Sequence, residues 1–432
     1  CLLCFLNLER MPFKTIDWVL RANIYEVNVR QYTKEGTLTS FALHLPRLAD
    51  MGVTVLWFMP ITPISTKGRL GTLGSYYACS DYTSINSEFG AEQDLIAVVH
   101  AAHALGMKVV IDWVANHTGQ DHVWTRSNPN FYMQDSHGNF TERNGWSDVI
   151  DLNYDNQDMR AAMIEAMRYW VETAGIDGFR CDMAHLVPLN FWVEARQALD
   201  RIRPLYWLAE CEDVHYFEAF DTTYAWAFMH ASASINRHEP NLKPVLEKLA
   251  MYASEGAHTH KLFFTSNHDE NSWNGTEYEK YGVTAKAWAV FSATWGGLPL
   301  VYSGQEIPNN KRLSFFEKDE LAWPTLTPAL HAFYKTIFSL RAQNDALVLS
   351  EPEMLQTPYP NSIIGFIKKH QNNIVLVLLN VSEHNRLAFE ISHPLLEGNF
   401  EQIFSGLQFS FSGKEKFELQ AGEYLVYQLI PH

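Results

Sequence analysis

Up to about Ala346, short and nearly unbroken apolar runs alternate with longer stretches in which apolar residues recur every three or four positions. The short runs read as strands buried on both faces and the longer ones as amphipathic helices, the alternation expected of parallel βα units. Eight strands are predicted, over residues 23–29, 53–59, 108–114, 178–181, 206–209, 222–228, 261–265 and 298–302. Between them, residues 91–105 place Leu95, Val98, Val99, Ala102 and Leu105 on one helical face, with Gly106 to end the helix. Asn156 can cap a second helix running to Thr173, in which Met159, Met163, Met167 and Trp170 face inward and Gly175 marks the end. Eight such pairs close into a (β/α)8 TIM barrel, an α/β architecture whose active site lies at the C-terminal ends of the strands.

Two regions break the alternation. Residues 117–155, rich in Asn, Asp, His and aromatic side chains and without a clear period, read as a short inserted subdomain after the third strand, a lid over the barrel mouth. From about Leu347 only β runs remain, over 363–368, 374–381, 387–391 and 417–429, with Pro, Gly and Asn turns between them. The division is therefore a catalytic barrel over 12–346, the insert at 117–155 within it, and a C-terminal antiparallel β-sandwich over 347–432.

Charge and composition narrow the functional classes. With 33 Lys and Arg against 49 Asp and Glu, a net charge of −16, the chain is a poor fit to nucleic acid or an anionic membrane surface. No apolar run approaches the ~20 residues of a membrane span. Aromatic residues make up 13%, which suits a cleft that stacks on the apolar faces of sugar rings. Five cysteines, Cys1, Cys4, Cys79, Cys181 and Cys211, have neither CxxC nor metal-ligand spacing, so a reducing, cytoplasmic setting is expected. Met11 is the expected native start, and a lipoprotein processed to begin at Cys1 is the alternative.

Candidate chemistry lies in four polar clusters at strand ends: Asp112 to His117, Gly178 to Asp182, Leu208 to Glu210, and Asn267 to Asp269. Acetal hydrolysis needs one carboxylate at the anomeric carbon and one carboxylic acid at the leaving oxygen, because the transition state resembles an oxocarbenium ion. Strand alternation puts Asp182 on the same face as Arg180, whose guanidinium can keep it ionised, so Asp182 is the candidate nucleophile. Glu210 follows the run Leu205-Tyr-Trp-Leu-Ala, and an apolar flank favours the protonated form of a general acid. Asp269 can bind sugar hydroxyls and stabilise developing positive charge, with His117 and His268 as hydroxyl donors at the same ring.

These segments resemble the conserved regions of the α-amylase family of glycoside hydrolases, family thirteen: DxxxNH at Asp112 to His117, GxRxD at Gly178 to Asp182, the lone Glu at Glu210, and NHD at Asn267 to Asp269. Ile24-Tyr25-Glu26-Val27, Gly74-Ser-Tyr-Tyr77 with Asp81-Tyr82, and Asp151-Leu-Asn153 extend the resemblance over nearly the whole chain. It implies Asp182 as nucleophile, Glu210 as acid/base and Asp269 as transition-state stabiliser. Arg180, His117 and His268 are implied as contacts to the reacting sugar, Tyr77 as its stacking platform and Asp112 as support. It further implies calcium at Asn116 and Asp151, hard oxygen donors that would pin the insert to the barrel. Many members carry a Lys-His pair three and four residues after the nucleophile, where this chain has His185-Leu186, which places His185 on the acceptor side in a changed form.

The activity so implied is retaining hydrolysis of α-1,4 bonds in starch-like glucans or malto-oligosaccharides, with the two reacting carboxyl groups about 5–5.5 Å apart. A 4-α-glucanotransferase would use the same residues. A glucan-binding or assembly subunit that has lost catalysis is the reading from another class.

Overall fold

The computed structural model describes residues 13–256 and 259–431. Met11, Cys1 and Cys4, with the expectations attached to them, lie outside the described residues. Strands β1 (Ile24–Val27), β2 (Val55–Phe58) and β3 (Lys108–Trp113) open the barrel. After β3 comes an antiparallel pair, β4 (His117–Gly119) with β5 (Val149–Asp151). The barrel then resumes with β6 (Gly178–Cys181), β7 (Tyr206–Ala209), β8 (Thr222–Tyr224), β9 (His260–Phe263) and β10 (Leu298–Tyr302). All eight barrel strands are parallel, and β10 closes back onto β1.

Alternation along these strands sorts the barrel interior into an apolar base and a charged top. Ile24, Val55, Trp57, Val110, Tyr206, Leu208, Leu262 and Leu298 share one buried cluster inside the ring. Their upward continuations in the same parity are Glu26, Asp112 and Glu210, and on β6 Gly178 is followed by Arg180 and Asp182. Gly178 answers a close approach: a Cβ there would lie 2.1 Å from the carbonyl oxygen of Tyr206 on β7. The GxRxD motif thus begins with glycine because β6 and β7 leave no room for a side chain.

Helices cover the outside. Glu92–Ala104 buries Leu95, Val98, Val99 and Ala102, whereas Leu105 is 41% exposed because it caps the helix, beyond the last turn that faces the barrel. Gln157–Thr173 is capped by the Asn156 side chain, which accepts from the Met159 N–H at 3.1 Å, and buries Met159, Met163, Met167 and Trp170. The strand expected over 222–228 stops at Tyr224, and Phe228 belongs to the helix Trp226–Ala233, where it stacks on Phe291 at 4.9 Å. An aromatic-rich apolar run is compatible with either element, and packing of Phe228 against the neighbouring helix decides it. Among the described residues no helix is long and apolar enough to cross a membrane.

The C-terminal strands β11 (Glu353–Met354), β12 (Ile363–His370), β13 (Asn373–Asn380), β14 (Leu387–Gln402), β15 (Leu407–Leu419) and β16 (Tyr424–Leu429) form one antiparallel sheet in the order β11-β12-β13-β16-β14-β15. A register shift between Ser392 and Glu397 interrupts the long β14–β15 hairpin. Its outer half then shares an apolar cluster with β12 and β13, in which Ile367, Leu376 and Leu378 meet Phe389, Ile391 and Phe417. The two layers expected of a sandwich therefore arise from one curled sheet. The other face of β12 docks on the barrel through Phe366, which meets Trp295 edge-on at 5.1 Å.

Candidate active site

Arg180 is the hub of the barrel mouth. Its Nη1 donates to Oδ1 of Asp112 and to Oδ1 of Asp182, each at 2.9 Å, and its Nε donates to the Tyr224 hydroxyl at 3.2 Å. Its Nη2 lies 2.9 Å from Oε2 of Glu210 as an ion pair. The guanidinium carbon sits 4.9 Å from the ring centre of Trp57, whose indole N–H donates to Asp112 at 3.1 Å. One planar fork thus fixes three carboxylates from three neighbouring strands, which a lysine point charge could not do. Removing one partner from a buried charge set of this kind costs about 3–5 kcal/mol, so Arg180 holds the fold as well as the site.

The acid/base candidate has a second anchor. The backbone N–H of Met183 donates to Oε2 of Glu210 at 2.8 Å. Met183 adopts a left-handed conformation, φ 41°, directly after Asp182. A side-chain-bearing residue in that region stores about 1–3 kcal/mol of strain, the kind of local cost that gathers at reacting centres. Here the turn aims an amide at Glu210 while Asp182 completes the ladder, its N–H donating to Trp113 O at 3.0 Å.

On the opposite side of the mouth His268 bridges two barrel strands and a loop. Its Nδ1 pairs with Oε1 of Glu26 at 2.5 Å, and its Nε2 shares a 2.7 Å hydrogen bond with the Tyr77 hydroxyl. The Tyr77 hydroxyl also donates to Asp112 at 3.2 Å, and its ring stacks on His268 at 5.4 Å. Oδ2 of Asp269 lies 3.4 Å from His268 Nε2, and Asp269 is the more open of the three acids, with its side chain 35% exposed. Glu26 is a site residue that the four polar clusters do not mark. Its signal was available: a carboxylate inside the apolar strand Ile24–Val27 is wholly buried and needs a cationic partner.

Burial and charge set the protonation states. Desolvation pushes Asp182 up to about 6 against the pull of Arg180, and Asp112 adds to the rise. Desolvation likewise pushes Glu210 up to about 7, opposed by Arg180 and reinforced by Asp182 and Asp269. The acid/base candidate is therefore the later of the two to ionise, the order acid catalysis requires. His268 is raised to about 9, because Asp269 and Glu26 outweigh the desolvation that would lower it. It is a cation at neutral pH and donates from both ring nitrogens.

His117 stands on β4, buried, its ring 5.2 Å from Trp146, and burial lowers its pKa to about 4. Its Nδ1 lies 3.1 Å from the Asn116 side-chain nitrogen, which leaves Nε2 as the neutral ring's donor. His185 is exposed on the turn Ala184–Leu186, at the rim rather than among the carboxylates. Cys181 and Cys211 are buried thiols with raised pKa values, apolar fillers beside the two reacting candidates. Asn116 immediately precedes β4, whose first residue His117 pairs in register with Asp151 on β5. Oδ2 of Asp151 carries the Arg143 Nε at 2.6 Å, whereas Oδ1 is buried with no hydrogen-bond partner, the kind of oxygen a hard cation takes.

The family profile described as "Alpha amylase, catalytic domain" matches residues 21–145 and 128–322, well over half of the chain. The chain is 26% identical over 399 residues to the α-amylase MalA of Haloarcula japonica, a match covering 86% of this chain and 57% of that protein. It therefore spans little more than half the length of that relative. Among solved structures, a maltogenic α-amylase from Thermotoga neapolitana, AmyB, superposes with a TM-score of 0.86 at 29% identity, covering 96% of this chain and 100% of the other. An α-amylase from Lactobacillus plantarum gives 0.85 at 26% identity, with 95% and 99% covered. Motifs, barrel and comparisons agree: the chain belongs to the α-amylase family of glycoside hydrolases.

Proposed function

We propose that the chain is a retaining hydrolase of α-1,4-linked glucans or malto-oligosaccharides. The observation that carries this reading is the single guanidinium of Arg180 spanning Asp182 and Glu210, which favours two closely set carboxyl groups over the wide pair of an inverting enzyme. In the first step an Asp182 oxygen attacks the anomeric carbon while Glu210 gives its proton to the departing glycosidic oxygen. The products are a glycosyl ester on Asp182 and a free sugar hydroxyl. In the second step the Glu210 carboxylate takes a proton from water, whose oxygen attacks the anomeric carbon and frees Asp182. Arg180 holds Asp182 ionised for attack and stabilises the carboxylate it becomes again when the ester breaks, and Asp269, beside the His268 cation, faces the positive charge of the sugar ring. Tyr77 offers its ring face to the same sugar.

Calcium belongs to this proposal as a structural tie. Asn116 and Oδ1 of Asp151 would hold it, joining the end of β3 to the insert, and it supplies no step of the chemistry. The proposed action on α-glucans is supported by the names of the similar proteins, which are amylases.

The test is product analysis on maltotriose. Shorter sugars alone are expected. Accumulation of chains longer than the substrate would replace hydrolysis by glucanosyl transfer, and no turnover with retained sugar binding would leave a binding subunit.

A further inference from the structure

Beyond the reacting centre, a line of aromatic rings leads out of the barrel mouth. Tyr77, stacked on His268, lies nearly parallel to Phe315 at 6.2 Å and 13°. Phe315 in turn contacts Trp273 at 5.2 Å, and Trp273 also meets Phe316 at 5.8 Å. Trp273 is 51% exposed, a large apolar surface left to water a few residues from Asp269.

The ring is exposed but its backbone is tightly held. Trp273 sits on the π-helical turn Glu270–Asn274, a conformation often found at functional sites. The Asn271 side chain donates to Lys311 O at 3.1 Å and accepts from the Leu313 N–H at 2.8 Å. The Ser272 hydroxyl donates to Leu313 O at 2.9 Å, and Asn274 and Lys280 both bond the carboxylate of Glu270. The turn is thereby laced to the loop that carries Phe315. A preformed apolar face, fixed at the outer end of the line that starts at Tyr77, meets a ligand without an ordering cost.

We propose that Trp273, with Phe315 behind it, is the platform for a further glucosyl unit of the substrate, beyond the one that reacts. This rests on the α-glucan reading above, since a sugar chain leaving the Tyr77 position passes along these rings. Pyranose C–H faces pack on such surfaces while the hydroxyls stay in water, so the platform adds affinity for longer chains and takes no part in bond cleavage.

Calorimetric titration of the wild type, Trp273→Ala and Trp273→Phe, each carrying Asp182→Asn so that the sugar is not cleaved, with maltose and with maltoheptaose tests the proposal, with steady-state turnover of the same three with Asp182 intact measured in parallel. Trp273→Ala is expected to weaken maltoheptaose binding about tenfold. Maltose binding falls much less, and Trp273→Phe, which keeps a ring and the fold, recovers most of the loss. Equal maltoheptaose affinity in wild type and Trp273→Ala overturns the proposal, as does an equal loss for both sugars. A selective loss of maltoheptaose binding, with no turnover where Asp182 is intact, keeps the platform and sinks the hydrolase reading instead.

Discussion

At the floor of the site Asp112, Arg180, Asp182, Glu210 and Glu26 stand on or directly after barrel strands and are buried, the three carboxylates of Asp112, Asp182 and Glu210 held by Arg180 and that of Glu26 by His268. At the rim His185, Phe315 and Trp273 stand on turns and loops, partly or largely in water. The floor is a closed electrostatic set in a low-dielectric ring, so each change there is felt by every neighbour. The rim is a set of apolar faces and one imidazole, none of them bonded into that closed set. Chemistry should therefore depend on the floor through kcat, and chain-length preference on the rim through KM.

The largest effect is expected where the floor loses the proposed nucleophile. Asp182→Asn keeps the volume and should lower kcat by about 10^4-fold or more, with a thermal melt close to wild type. Activity near wild type in a maltotriose assay would move the nucleophile elsewhere.

Glu26→Gln should come next. Without that carboxylate the His268 pKa falls from about 9 toward its usual 6.5, and the positive charge facing Asp112 and Asp269 is weakened near neutral pH. An about 10- to 100-fold drop in kcat is expected, with the acidic limb of the pH profile moved to higher pH. An unchanged profile would make Glu26 a packing residue.

In the wild type the limbs themselves follow from the two raised carboxyl groups. In the proposed mechanism Asp182 acts ionised, so kcat/KM should rise as pH passes about 6, and Glu210 acts protonated, so it should fall above about 7. A narrow bell between those values is expected; a flat profile from pH 5 to 9 would contradict the assignment. Stability has its own signs. His268, raised from 6.5 to about 9, contributes stability that is whole below pH 6.5 and lost as pH rises through about 9. The raised carboxyl groups of Asp182 and Glu210 lose theirs in a lower window, as pH rises through about 6 and 7. Thermal melts should decline across both windows, and Glu26→Gln should flatten the upper one.

The rim and the insert give the smallest effects. His185→Ala should change kcat less than about threefold while shifting KM, because an exposed side chain is not bonded into the floor. A kcat loss as large as that of Glu26→Gln would erase the contrast. Calcium at about a hundred times its dissociation constant should raise stability by about 2.7 kcal/mol, and Asp151→Asn should abolish the gain. Identical melts with calcium and with a chelator would remove the ion from the proposal.

The floor was legible in the sequence for a physical reason. Buried parallel strands show as apolar runs, and polar residues that end such runs in the same parity must point into the mouth, as Asp112, Asp182 and Glu210 do. Parity also marked Glu26, but its partner His268 lies 242 residues away, and nothing local reveals a pair of that separation. Met183 could not be read either, since its positive φ is imposed by the turn that serves Glu210 rather than by its own preference. Phe228 and Leu105 lie on a different element or face from the expected one, because apolar character alone does not say where a strand yields to a helix or where a helix face ends. Trp273 and Phe315 stayed silent for the reason that makes them a rim: loops carry no period, and their meeting is decided by the bonds of Asn271 and Ser272 to residues some forty positions on.

The most direct measurement is to trap the intermediate. Wild-type protein is incubated with an activated fluoro-α-glucosyl fluoride whose second step is slow, and the digest is read by mass spectrometry. One fluoroglucosyl unit on the peptide containing Asp182, with none in Asp182→Asn, is the expected result. A label on another residue, or rapid turnover with no label and inverted anomeric configuration in the first product, would contradict a covalent Asp182 mechanism.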